Sequence, residues 1–192
     1  MLNPTGADSY AAIGQVHLRG GNYAEAVASA RRAVALDGSH KEARYVLATS
    51  LVRMGNVDEA TRELEVYQRL QTEATAARSR QLEVEGLRRD ASLSIVNGEL
   101  TKAVTLLRQA LERDPESAQS RLDLGLALLK AGQPAEALEQ LTVAAAKENS
   151  EDAHVYLSQA YAALGRSGDA ERERAIASRM RQETLRRTGA VR

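Results

Sequence analysis

Five glycines, each closing an apolar stretch, recur along this chain at Gly21, Gly55, Gly98, Gly132 and Gly165. By subtraction, the intervals are 34, 43, 34 and 33 residues, and an alanine stands five places after each glycine: Ala26, Ala60, Ala103, Ala137 and Ala170. A fixed interval of this length marks a supersecondary unit repeated in series, each unit too small to bury its own apolar face. The fourth unit shows the plan. Leu124-Gly125-Leu126-Ala127-Leu128-Leu129 carries a first helix. Gly132 supplies the positive φ that ends it. Pro134 fits the first turn of a second helix, where its missing N–H is harmless. Ala137, Leu141 and Ala144 then follow at three- and four-residue spacing as one buried stripe. Asp114-Pro115 stops the preceding helix, because proline disfavours helical geometry in the residue before it.

Composition agrees with closely packed helices. The chain has no Phe and no Trp, only 3% aromatic residues, three prolines and 43% apolar residues. Most of the apolar residues are Ala, Leu and Val. Alanine keeps interhelix distances short at no rotamer cost. The expected class is therefore all-α. Twenty-six basic and 26 acidic residues cancel, so the total charge favours neither nucleic acid nor an anionic membrane. The absence of cysteine removes disulfides and thiolate metal sites but leaves cytoplasm and periplasm equally open. No apolar stretch approaches the roughly 20 residues of a membrane span. Met1 to Gly6 lack the parts of a signal peptide, so an extracellular address would need a signal further upstream. The preference for Arg over Lys, with abundant Ala, points to a GC-rich bacterial genome.

The units resemble the tetratricopeptide repeat. That family places an aromatic, Leu-Gly and a second aromatic in the first helix, a Gly turn, then Ala, a large apolar residue and Ala in the second helix, and finally Pro. The first unit offers Tyr10, Ile13-Gly14, His17, Gly21, Ala26, Ala30 and Ala33; the second Leu47-Ala48, Leu51, Gly55, Ala60, Leu64 and Tyr67. The third offers Leu87, Ala91, Gly98, Ala103, Leu107, Ala110 and Pro115, and the fifth Leu157, Tyr161, Gly165, Ala170 and Ala177. The resemblance implies a right-handed α-solenoid of about five helix-turn-helix repeats.

Three departures shape the expected organisation. Nine extra residues fall between the second and third units, around Thr75 to Gln81, and no Gly or Pro breaks the chain from Val57 to Glu85. One reading is a loop insertion; the sharper one is a hinge or docking spur. The lengthening is expected to be helical, about two and a half turns at roughly 3.6 residues each. Asp90 stands where the third unit should bury a leucine, and a buried carboxylate needs a partner; the alternative is a rotated helix. Leu2 to Gly6 read like the close of a preceding repeat, which would leave the outer face of Tyr10 and Ile13 uncapped. The expected boundaries are residues 1–6 as the tail of a preceding repeat or an extension, 7–74 as repeats one and two, 75–83 as a helical insertion, 84–187 as repeats three to five with a polar cap helix, and 188–192 as a tail.

Catalytic chemistry finds no foothold. His17, His40 and His154 lie in separate units, and none has a metal-ligand neighbour at a telling spacing. Gly20-Gly21-Asn22 has neither the preceding strand nor the Gly-Lys-Ser/Thr of a phosphate loop. No serine has a nucleophile-elbow context, and the carboxylates sit on helix faces beside arginines. No catalytic residue, metal or cofactor is expected. The Arg-rich C-terminal helix reads as a solvated cap rather than a nucleic-acid surface, since no aromatics accompany it.

The resemblance implies that first helices line a concave groove. Its residues are expected to be Leu18, Arg19, Tyr45, Thr49, Val52, Arg53, Arg88, Ile95, Leu122, Leu126, Leu129, Lys130, Val155 and Gln159. Arginines and a lysine beside an apolar stripe suit an extended or helical peptide, apolar with some acidic residues. Some family members clamp a C-terminal carboxylate with Lys and Asn; here Ala11, Gln15 and Val46 occupy those places. The expected function is a non-catalytic protein-interaction scaffold, with no nucleic acid and no membrane insertion. The alternatives are a self-assembling protein joined through its uncapped N-terminal end, and the repeat portion of a larger enzyme or assembly factor.

Overall fold

The computed structural model describes residues 4–188, so residues 1–3 and 189–192 of the expected tails lie outside the described residues. Among the described residues all regular structure is helical: α1 (Pro4–Arg19), α2 (Tyr23–Leu36), α3 (Lys41–Arg53), α4 (Val57–Val96), α5 (Leu100–Arg113), α6 (Ala118–Lys130), α7 (Pro134–Lys147), α8 (Glu151–Ala163) and α9 (Ser167–Arg187). Two compact units divide the chain, unit one ending at Arg78 and unit two beginning at Ser79.

The five glycines do what their period demands. All have positive φ, between 74° and 82°. At each, the glycine N–H reaches back three residues and the next N–H reaches back five, as in Gly21 to Leu18 (3.2 Å) and Asn22 to His17 (2.9 Å). This double bond pattern satisfies the last carbonyls of the first helix and turns the chain directly into the second. Turns between repeats are capped by side chains. His40, Ser117 and Ser150 accept from the N–H groups of Ala43, Ser120 and Ala153 at the starts of α3, α6 and α8. Pro4 to Gly6, expected within the leading segment, form the first turn of α1.

In unit one, α3 packs on both α1 and α2. Its core is a cluster of Ala26, Val27, Ala30, Val46, Leu47, Leu51 and Ala60, with a smaller one of Ala11, Ala33 and Ala43. In unit two a single larger cluster runs from Ala91 through Leu107, Leu124, Leu128 and Leu141 to Leu157 and Ala160. Close approach of α6 and α7 depends on Gly125: a Cβ there would lie 2.4 Å from Leu141 Cγ.

The segment 75–83 lies inside α4, a 40-residue helix, rather than in a loop. Every residue from 71 to 83 is exposed. Ala, Glu, Arg, Gln and Leu are strong helix formers, and with no Gly or Pro here nothing local ends the helix. Asp90 is exposed and Ala91 takes the buried place beside it, so the carboxylate needs no buried partner.

Candidate protein-binding trough

The first helices of unit two shape two hollows. Spacings of three and four residues put Asp123, Leu126 and Lys130 on one face of α6. On one side of Leu126 lies a hollow of about 320 Å³, lined by Glu85, Arg88, Arg89, Ser92 and Ile95 of α4, Leu107 of α5, and Asp123 and Leu126. On the other side lies one of about 560 Å³, lined by Leu126, Leu129, Lys130 and by Tyr156, Gln159 and Ala163 of α8. Leu126 lines both, so the two hollows flank one apolar side chain, and together they are the candidate trough.

Its charge is partly spent. Arg88 Nε donates to Asp123 Oδ2 at 2.7 Å, and Gln119 donates to the other carboxylate oxygen at 2.9 Å. Both partners of this pair are roughly three-quarters shielded. Arg89 and Lys130 are exposed, and no ion pair engages either among the described residues. Burial, and then the negative charges of Asp152 and Asp123, push the Tyr156 phenol above its ordinary range.

Of the expected groove residues, Arg88, Ile95, Leu126, Leu129, Lys130 and Gln159 meet here. Leu122 requires correction: it is buried in the core of unit two, because the early turns of α6 are covered by α7 and α8 around Ala144 and Ala153. Val155 is half-buried and lines neither hollow. The remainder belong to unit one. There Leu18 packs against the core and Thr49 is half-buried, whereas Arg19, Tyr45, Val52 and Arg53 are exposed. The Tyr45 ring lies 5.7 Å from that of Tyr67. Asp123 and Tyr156, absent from the expected set, stand three residues before Leu126 and Gln159; that spacing is the one signal that points to them.

His40 and His154 have structural partners. His154 Nδ1 and Nε2 lie 2.5 Å from Glu173 and Asn149 oxygens, tying α8 to α9 and to the preceding turn. Arg44 with Glu63, and Arg121 with Gln140, make the same crossing in repeats two and four. His40 caps α3 and meets Asp8 at 3.1 Å. Among the described residues no three His, Cys, Asp or Glu side chains are grouped to hold a metal ion, and no helix is long and apolar enough to cross a membrane.

Residues 91–150 and 122–184 match the tetratricopeptide repeat family model, and residues 1–67 match the model for anaphase-promoting complex, cyclosome, subunit 3. The chain belongs to the tetratricopeptide repeat family. Two solved structures share the fold. YrrB, described as a TPR protein with an unusual peptide-binding site, is 19% identical, with 95% of this chain and 90% of that one covered at a TM-score of 0.50. A crystal structure of MamA is 18% identical, with 91% and 97% covered at a TM-score of 0.51. No curated protein matches the sequence.

Proposed function

We propose that the chain is a non-catalytic interaction scaffold whose trough in unit two takes up an apolar stretch of another protein, helical or extended. The observation that carries this is Leu126, an apolar ridge shared by two hollows instead of being closed into the core. A concave apolar surface with a few convergent polar groups is the ordinary form of a recognition site. Leu126 is already partly buried, so covering what remains open gains less than the about 1.5–3 kcal/mol of burying a fully exposed leucine. Exposed Arg89 and Lys130 favour acidic residues flanking the apolar anchor, while Arg88 is already met by Asp123. The peptide binding attributed to YrrB is in keeping with such a use of the fold.

A random peptide library displayed on phage and selected on the whole chain tests the reading. The selected sequences should combine Leu or Ile with Asp or Glu. Leu126→Glu should weaken each selected peptide at least about tenfold, or about 1.4 kcal/mol, with unchanged helicity by circular dichroism. Peptides that bind the variant as tightly as the parent would place recognition elsewhere and defeat the trough.

A further inference from the structure

Equivalent positions in the repeats show which helix faces are built to be covered. Counting from the glycine turns, Ile13 corresponds to Leu47, Asp90, Leu124 and Leu157, and Val16 to Ser50, Leu93, Ala127 and Ala160. In repeats two, four and five all six of these residues are at most 5% exposed. In repeat one Ile13 is 45% and Val16 69% exposed. Ala12, in the adjacent position, is exposed as well. Repeat three meets water with the same face: Arg89 and Asp90 are exposed there, and so is Leu93 at the place of Val16, at 61%. Repeat one carries apolar residues at all three places, with no charged neighbour among them. Local preference offers no reason for this, since Ile and Val are poorer helix formers than the Arg, Lys or Glu that solvent would accept. Single exposed apolar residues are ordinary. Three lie on one face, and the places of Ile13 and Val16 are covered in repeats two, four and five, so this face has the chemistry of a contact surface.

The same unit holds the complementary half. In repeat four, Leu122 is in the core and Leu129 packs against it. In repeat one, the equivalents are Ala11, which is buried, and Leu18, packed against the core. In repeat two, these positions are Tyr45 and Val52, 46% and 51% exposed. Unit one therefore begins and ends in residues of interior type. Its leading face on α1 corresponds to the α3 face that packs against α1 and α2, and its trailing face to the surface on which α3 rests.

We propose that unit one binds a second copy of this chain head to tail, with Ala12, Ile13 and Val16 of one copy packing on Tyr45, Val52 and the opening turns of α4 of the next. The contact repeats the geometry by which α3 already stacks within the unit. It is heterologous, so each copy keeps one free face at either end, and assembly proceeds to rings or open chains. Both faces belong to unit one and the trough to unit two, so peptide capture and self-association can be lost separately.

Sedimentation equilibrium over a wide concentration range tests this with the whole chain. The parent should rise in weight-average mass beyond twice 20.8 kDa as concentration increases. Ile13→Asp with Val16→Asp removes the leading face, and Val52→Asp with Tyr45→Ser the trailing one. Each double variant alone should stay monomeric, with helicity and selected-peptide binding retained. An equimolar mixture of the two should stop at a dimer, since one intact face of each kind remains. Three results overturn the proposal: a parent that is monomeric throughout, double variants that associate like the parent, or a mixture that stays monomeric. Loss of association in the leading-face variant with the trailing-face variant still associating would also overturn it, by showing a symmetric contact.

Discussion

Units one and two follow the same repeat but are filled differently. The core of unit two is one cluster with six leucines, Leu107, Leu122, Leu124, Leu128, Leu141 and Leu157, whereas unit one divides its interior between two clusters of mostly Ala and Val with Leu47 and Leu51. A buried leucine removes far more apolar surface from water than an alanine. In a repeat protein, where stability is close to a sum over neighbouring interfaces, that difference stays local. Unit two is the more stable by this account, and it is also the unit with the trough. A binding surface open to solvent is best held by elements whose packing does not depend on the ligand.

The largest expected effect removes the centre of that core. Leu141 is fully buried, and Leu141→Ala should cost about 2–5 kcal/mol from lost transfer energy and the cavity left behind. Hydrogen exchange followed by mass spectrometry should show that loss in α6, α7 and α8, with the protection of α2 and α3 unchanged. Equal loss in both units would mean that they unfold as one body and would break the comparison.

A finer comparison uses one repeat position in the two units. Gly14 and Gly125 are equivalent. At Gly125 a Cβ would fall 2.4 and 2.5 Å from Leu141 Cγ and Cδ2, whereas at Gly14 the nearest atom is Val46 Cγ1 at 3.3 Å. Leu141 has no room to retreat, so Gly125→Ala should lose about 1–3 kcal/mol through overpacking. At Gly14 a small misfit opposes the gain of about 1 kcal/mol from replacing glycine in a helix. Gly14→Ala should therefore stay within about 1 kcal/mol of the parent. Urea unfolding of the two variants measures both, and a larger loss at Gly14 would reverse the ranking of the interfaces.

The same contrast explains what the sequence alone made legible. The glycine period located five turns and the all-helical repeat, because each turn is a local event set by one residue able to adopt positive φ. Leu126, Leu129 and Lys130 were readable as a surface stripe, since helical spacing fixes which side chains share a face. Spacing does not say what covers that face. Leu122 has the look of the same stripe, yet α7 and α8 close over it. Alignment with Leu124 predicts a buried charge at Asp90, whereas in the folded chain it is exposed. Asp123 and Tyr156 are not legible for the same reason: their place beside Leu126 depends on side chains from α4, α6 and α8, as in the 35-residue separation of Arg88 and Asp123.

The smallest expected effect concerns the trough wall. Burial and the nearby carboxylates Asp152 and Asp123 raise the Tyr156 pKa in the folded chain, above an unfolded value of about 10. Folded protein thus holds the phenolic proton more tightly than unfolded protein does. The resulting stability is fully present below about pH 10 and is lost as pH rises through the folded value. Tyr156→Phe removes the titrating group. At neutral pH it should change stability by no more than a partly exposed site allows, whereas above about pH 10 its melting temperature should fall less steeply than the parent's. Asp123→Asn should shift the tyrosinate absorbance of the parent's Tyr156 toward lower pH, since one of the two opposing charges is gone. Parallel alkaline melting curves for the parent and Tyr156→Phe would show that this phenol is not held back.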